Sequence, residues 1–157
     1  MLFRSGTYLC SYEGASDTDA DDLGEDIVIE ETVPSYDYAG RTIMTTRYER
    51  SDVTTIAGAL SEDAPWDDAN SRRTYSCTWY DALGRPSTTA YYGTHGGAAL
   101  DGRPSPIPTY ETENVIVSKS DYDGYGRNHK TTDNSNRVTM ILFDSSGRRT
   151  HVVENYY

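Results

Sequence analysis

Asp17, Asp19 and Asp21 place carboxylates at alternate positions, with Asp22 following, as in the opening of a loop that wraps a hard cation such as calcium. The remainder of such a loop is missing: its sharp-turn glycine is replaced by Asp22 and its closing glutamate by Val28, so the stretch reads as a solvated acidic linker. His95, His129 and His151 have no neighbour at metal-ligand spacing and no accompanying nucleophile pattern, which makes them ordinary loop and strand residues. Adjacent carboxylates such as Asp67 and Asp68 fix no geometry for acid–base work, and Gly96-Gly97 precedes no helix that would hold a phosphate. Cys10 and Cys77 permit a disulfide in an exported protein, but two unpaired thiols are the favoured reading. No catalytic, cofactor or metal residue is expected, and the chain reads as non-enzymatic.

One charged constellation does recur. Tyr36-Asp37 is followed by Gly40-Arg41, Tyr80-Asp81 by Gly84-Arg85, Tyr122-Asp123 by Gly126-Arg127, and Phe143-Asp144 by Gly147-Arg148. The first positions lie 44, 42 and 21 residues apart, near multiples of one unit of about 21 residues, and a fixed period of this size marks a repeat array. Asp, two free positions and Gly suit a type I turn: the aspartate accepts local backbone N–H bonds and the glycine supplies positive φ. With Gly as a bulge, this turn is a common hairpin connection. Counting outward sets Asp37 against Arg41, Asp81 against Arg85, Asp123 against Arg127 and Asp144 against Arg148. The aromatic residue then faces the residue after Arg, and the motif's role is structural.

The flanks must position these turns, and they read as strands. Thr74 to Tyr80 alternates Tyr75, Cys77 and Trp79 against Thr74, Ser76, Thr78 and Tyr80. Val115-Ile116-Val117 leads toward the third motif. Val138 to Phe143 leads into the fourth as an almost unbroken apolar run, the pattern of a strand covered on both sides. Thr45-Thr46, Thr88-Thr89 and Thr131-Thr132 mark return strands, and Asp133 to Asn136 reads as a polar turn. Residues 50–72 and 93–109 lack a period and are expected to be surface loops. Leu100-Asp101-Gly102-Arg103 sits where a further copy would fall.

These motifs, with their Thr-rich return strands, resemble the YD repeats of the Rhs family across about residues 33–157. That family includes bacterial Rhs toxins, shell components of insecticidal toxin complexes, and the teneurins. The resemblance implies an all-β fold of antiparallel hairpins in an extended, curved or spiralling sheet, a partial shell or barrel. It also implies a secreted or cell-surface location and a structural part in a toxin-associated shell. Toxin-type members carry a C-terminal core with a self-cleavage motif and a variable toxin domain, neither of which is visible before Tyr157. The expectation is a segment or short relative of such a shell.

Composition agrees with an array more than with a domain built on its own core. Leu, Ile, Val and Phe make up only 24 of 157 residues, and the net charge is −11, a balance that in a non-repeating chain points to disorder. The counterweight is 14 Tyr and 19 Thr, good strand formers that can bury surface against neighbouring repeats. Residues 1–35 hold nine acidic groups and one basic group, so residues 1–32 are set apart as an acidic, weakly patterned segment and 33–157 as the array. The absence of a basic patch argues against nucleic acid. No apolar stretch reads as a membrane span, and Met1 to Ser5 lacks the character of a signal peptide. The expected partners are further YD repeats or a second copy through sheet edges. The alternative is a recognition module that contacts carbohydrate or a cell-surface protein through its Tyr-rich strands and loops.

Overall fold

A computed structural model describes residues 5–8, 28–51, 60, 71–109 and 114–155. Among them are nine strands: β1 (Ser5–Tyr8), β2 (Val28–Tyr36), β3 (Thr42–Arg50), β4 (Ser71–Tyr80), β5 (Pro86–Gly93), β6 (Ile116–Tyr122), β7 (Asn128–Thr132), β8 (Val138–Phe143) and β9 (Arg149–Glu154). Hydrogen-bonded neighbours follow chain order. The fold is all-β and antiparallel, a succession of hairpins. The chain divides into two compact units, one of residues 1–75 with 93–101, the other of 76–92 with 102–157.

In the first unit, β2 runs against β1 and β3. Strand structure therefore also occurs within residues 1–32, N-terminal of the boundary that charge alone suggests. The register sets Glu30 directly opposite Glu49, a like-charge pair that would destabilise the sheet. Arg47, two residues from Glu49 and so on the same face, reaches Glu30 at 2.7 Å and Glu49 at 3.0 Å. Arg47 thus bridges the two carboxylates, Arg72 stands 4.0 Å from Glu49 as a second cation, and the Arg47 hydrogen bond holds Glu30 below the usual carboxylate range. Val28, Met44, Leu60 and Tyr75 are buried in this unit. The loop expected at 50–72 falls mostly outside the described residues, as do the acidic stretch and Cys10.

In the second unit, Cys77 and Trp79 of β4 are buried with Ala90, Tyr92 and Val117, on the face that alternation along β4 assigns to them. Burial pushes the Cys77 thiol up to about 11, against the opposing field of Arg103. Thr88 and Thr132 are buried beside these apolar residues, so threonine fills interior positions that a richer sequence would give to valine. Asn134 Oδ1 accepts the Val117 amide at 2.9 Å, capping the start of β6 where strand pairing has ended.

One expectation is corrected. The apolar run of β8 is not covered on both sides: its residues are half-buried and Leu142 is exposed. Alternation is lost in this strand because apolar residues occupy the open face as well, not because a second layer packs on it. Leu100 to Arg103 forms no hairpin; instead Arg103 Nη1 donates to the Thr78 carbonyl at 2.7 Å and its guanidinium lies 5.7 Å from the Trp79 ring.

All four motif glycines adopt positive φ, between +77° and +81°. A Cβ at Gly126 would meet nothing closer than 3.5 Å, so backbone conformation, not lack of room, selects glycine there. Replacing Gly126 by alanine should therefore cost about 1–2 kcal/mol, the strain of an L-residue in the left-handed region. Gly126→Asn should cost less, and urea denaturation of the two variants measures the difference.

Candidate functional site

The site assembles from the motif turns. In the second unit Asp81, Asp123 and Asp144 close the hairpins β4–β5, β6–β7 and β8–β9, which lie at one end of the meander; Asp37 closes β2–β3 in the first. At each turn the Asp N–H donates to the Arg carbonyl and the Gly N–H donates back to the Asp carbonyl. The side chain reinforces this frame. Asp123 Oδ1 accepts the Tyr125 and Arg127 amides, both at 2.9 Å, while Oδ2 accepts Arg127 Nε and Nη2, both at 2.7 Å. Asp37 and Asp81 repeat the arrangement within 0.1 Å of these lengths. Asp144 bonds the Ser146 and Arg148 amides and Arg148 Nε.

One carboxylate therefore satisfies backbone donors of the tight turn and fixes the arginine in a planar orientation that a lysine would not hold. The same bonds hold the acids deprotonated. The Arg41 guanidinium and then its amide depress Asp37, and the Arg85 and Arg148 amides, followed by their guanidinia, depress Asp81 and Asp144. At Asp123 partial burial acts upward, and the Arg127 amide and guanidinium together outweigh it.

Asp133, Asn136 and Arg137 form a fifth copy. The turn between β7 and β8 repeats every bond of the motif, with Asn136 at φ +58° in the glycine position. It lies at the opposite end of the strands from the β4–β5, β6–β7 and β8–β9 turns of the same unit. A search for Asp-x-x-Gly passes over it, whereas Asp-x-x-(Gly or Asn)-Arg would find it, since asparagine also tolerates left-handed backbone.

The aromatic position acquires its meaning between hairpins. The Arg85 guanidinium lies 4.1 Å from the centroid of the Tyr122 ring, and that of Arg127 lies 4.2 Å from Phe143. Each is thus bound edge-on by its own aspartate and covered on its face by the next hairpin's ring, a cation–π contact. The Tyr122 hydroxyl also donates to the Pro86 carbonyl at 2.8 Å. Arg127 Nη1 stands 3.6 Å from where a Cβ would lie on Gly147, and its charge helps depress Asp144. The register confirms that each aromatic residue faces the residue after Arg, Tyr122 against Asn128 and Phe143 against Arg149.

One residue of each return strand is bulged at this point. Where that residue is Thr150, its hydroxyl donates to the Leu142 carbonyl at 3.1 Å, and Ser87 does the same for Trp79 at 3.2 Å. In the β6–β7 hairpin the bulged residue is His129, whose buried Nδ1 has no partner. Among the described residues no three His, Cys, Asp or Glu side chains are gathered as metal ligands, and no helix is long and apolar enough to cross a membrane.

The fold and this ladder define a class of protein, an antiparallel β-hairpin repeat. Compared with known protein families the chain matches no family model, and it matches no curated protein.

Two outcomes are expected. A double-mutant cycle of Arg85→Met with Tyr122→Leu should show a coupling energy of about 0.5–1 kcal/mol, read from denaturation midpoints. The turn carboxyls titrate below their ordinary 3.8 when folded, so the stability they contribute is present above about pH 4 and is lost as pH falls through the folded values. Thermal melts from pH 7 to pH 3 should show that loss. Asp123→Asn should lower stability at neutral pH and make the acid decline shallower.

Proposed function

We propose that this chain is a non-enzymatic structural module, a segment of a YD-repeat array that forms part of an Rhs-like secreted or cell-surface shell. The observation that carries the reading is the double use of the motif arginine. Arg85 and Arg127 each hold their own turn and clasp the ring of the following hairpin. A contact of that kind joins consecutive units of an array, and it occupies the residues that define the motif. The poor apolar supply fits the same role, because each hairpin gains its burial from its neighbours.

A second reading rests on Tyr38 and Tyr125, which stand exposed at hairpin tips and suit recognition of a sugar face or of another protein. Glycan-array binding that disappears in Tyr38→Ala or Tyr125→Ala would favour it over the shell.

The shell reading is tested by translating the coding sequence on both sides of this chain. Further aromatic-Asp-x-x-Gly-Arg copies at steps near 21 residues, or multiples of it, are the expected result. Flanks without a single copy would sink it.

A further inference from the structure

Arg148 holds its own turn as its counterparts do, with Nε 2.7 Å from Asp144 Oδ2. Its surroundings differ: the Arg85 and Arg127 side chains are 28% and 29% exposed, and that of Arg148 is 80% exposed. What Arg85 and Arg127 share and Arg148 lacks is the ring of a following hairpin, to which Arg127 adds Tyr125 of its own turn, 5.0 Å from its guanidinium. A second position tells the same story. The fifth residue after the motif arginine is Ala90 in β5, Thr132 in β7 and Val153 in β9. The first two are 2% and 7% exposed, while Val153 is 37% exposed although it is the most apolar in size. Ala90 and Thr132 are each covered by a valine opposite them on the next strand, Val117 and Val138. In both cases the aromatic residue that closes on the arginine stands five residues after that valine, at Tyr122 and Phe143. β9 is exposed along its length and ends the strand order.

We infer that β9 and Arg148 form a docking site for a hairpin carrying valine, four intervening residues, an aromatic residue and then Asp-x-x-Gly-Arg. The incoming strand pairs antiparallel with β9, its valine covers Val153, and its ring closes on the open face of Arg148. The inference rests on the array reading and adds to it the residues that select the next unit. Arginine is required because a lysine ammonium would keep the charge near Asp144 but offer no flat face to the ring. The partner is a further hairpin of this motif; a second β9, whose Val152 stands five residues before Tyr157, is the competing occupant that concentration dependence distinguishes.

The test joins a second copy of residues 133–154 directly after Val153 of the full chain, which puts the copied Val138 and Phe143 in the required register. The β9 amides should then exchange at least about tenfold more slowly than in the parent, as expected for an edge strand that becomes internal. Arg148→Ala should lower the melting temperature of the extended chain by about 2 °C more than that of the parent. That excess should vanish when the copied Phe143 is replaced by leucine, and Arg148→Lys, which keeps the charge, should retain little of it. If β9 becomes protected but Arg148→Ala acts equally in both chains, the arginine clasp is overturned and the array reading stands. If β9 stays unprotected in the extended chain, or its protection in the parent rises with protein concentration through dimer formation, the docking site is overturned. The unprotected result also removes the support for the array.

Discussion

Arg85 and Arg127 each work on two partners through different parts of one planar group. Its edge is bound by the aspartate of its own turn, and at Arg85 and Arg127 its face is covered by the aromatic ring of the next hairpin. The guanidinium is the one side chain that can do both, because it is planar, always charged, and has donors around its rim. Without the aspartate the guanidinium would be free to rotate, and its face would no longer be presented to the neighbouring strand pair. Without the ring, hairpins would be joined only by backbone bonds and by a thin apolar face. The turn and the array thus depend on the same atoms.

This arrangement accounts for how a chain so poor in Leu, Ile, Val and Phe builds a β-structure. Much of what is buried is small or polar: threonines at 88 and 132, Ser71 and Thr74, with Val117 and Cys77 among the few apolar residues fully out of solvent. Backbone groups are satisfied by the ladder or by local side chains, such as Asn134 at the start of β6 and Thr150 at the bulge of β9. The charged residues are placed where they satisfy donors or neutralise one another, as Arg47 does between two glutamates. Because the clasp sits at the turn end of the hairpins, a long connection such as that between β5 and β6 can be accommodated without breaking the Arg85–Tyr122 contact.

Much of this was legible in the residues. Asp-x-x-Gly-Arg announced hairpin turns because the interactions that make the turn lie within five consecutive residues, and the alternation of β4 set Tyr75, Cys77 and Trp79 on one face, which the structure buries. Two signals misled. The run from Val138 to Phe143 looked like a strand buried on both sides, yet composition reports only what a strand could bury, and the outer face of β8 has no covering layer among the described residues. Asp133 to Asn136 looked like a generic polar turn because asparagine stands where the other copies have glycine, although the backbone requirement for positive φ is met by both.

The sequence by itself determined the turns, their period and the antiparallel class of the fold, since these follow from local stereochemistry: an acceptor at the first turn position, a residue able to adopt positive φ at the fourth, and β-favouring residues on either side. Only the tertiary structure decided which arginine meets which ring. Arg127 finds Phe143 across a short return, whereas Arg85 finds Tyr122 across the whole connection from β5 to β6. No fixed spacing encodes that pairing, because it is set by which strands lie side by side, and strand order arises from backbone hydrogen bonds that any residue except proline can make.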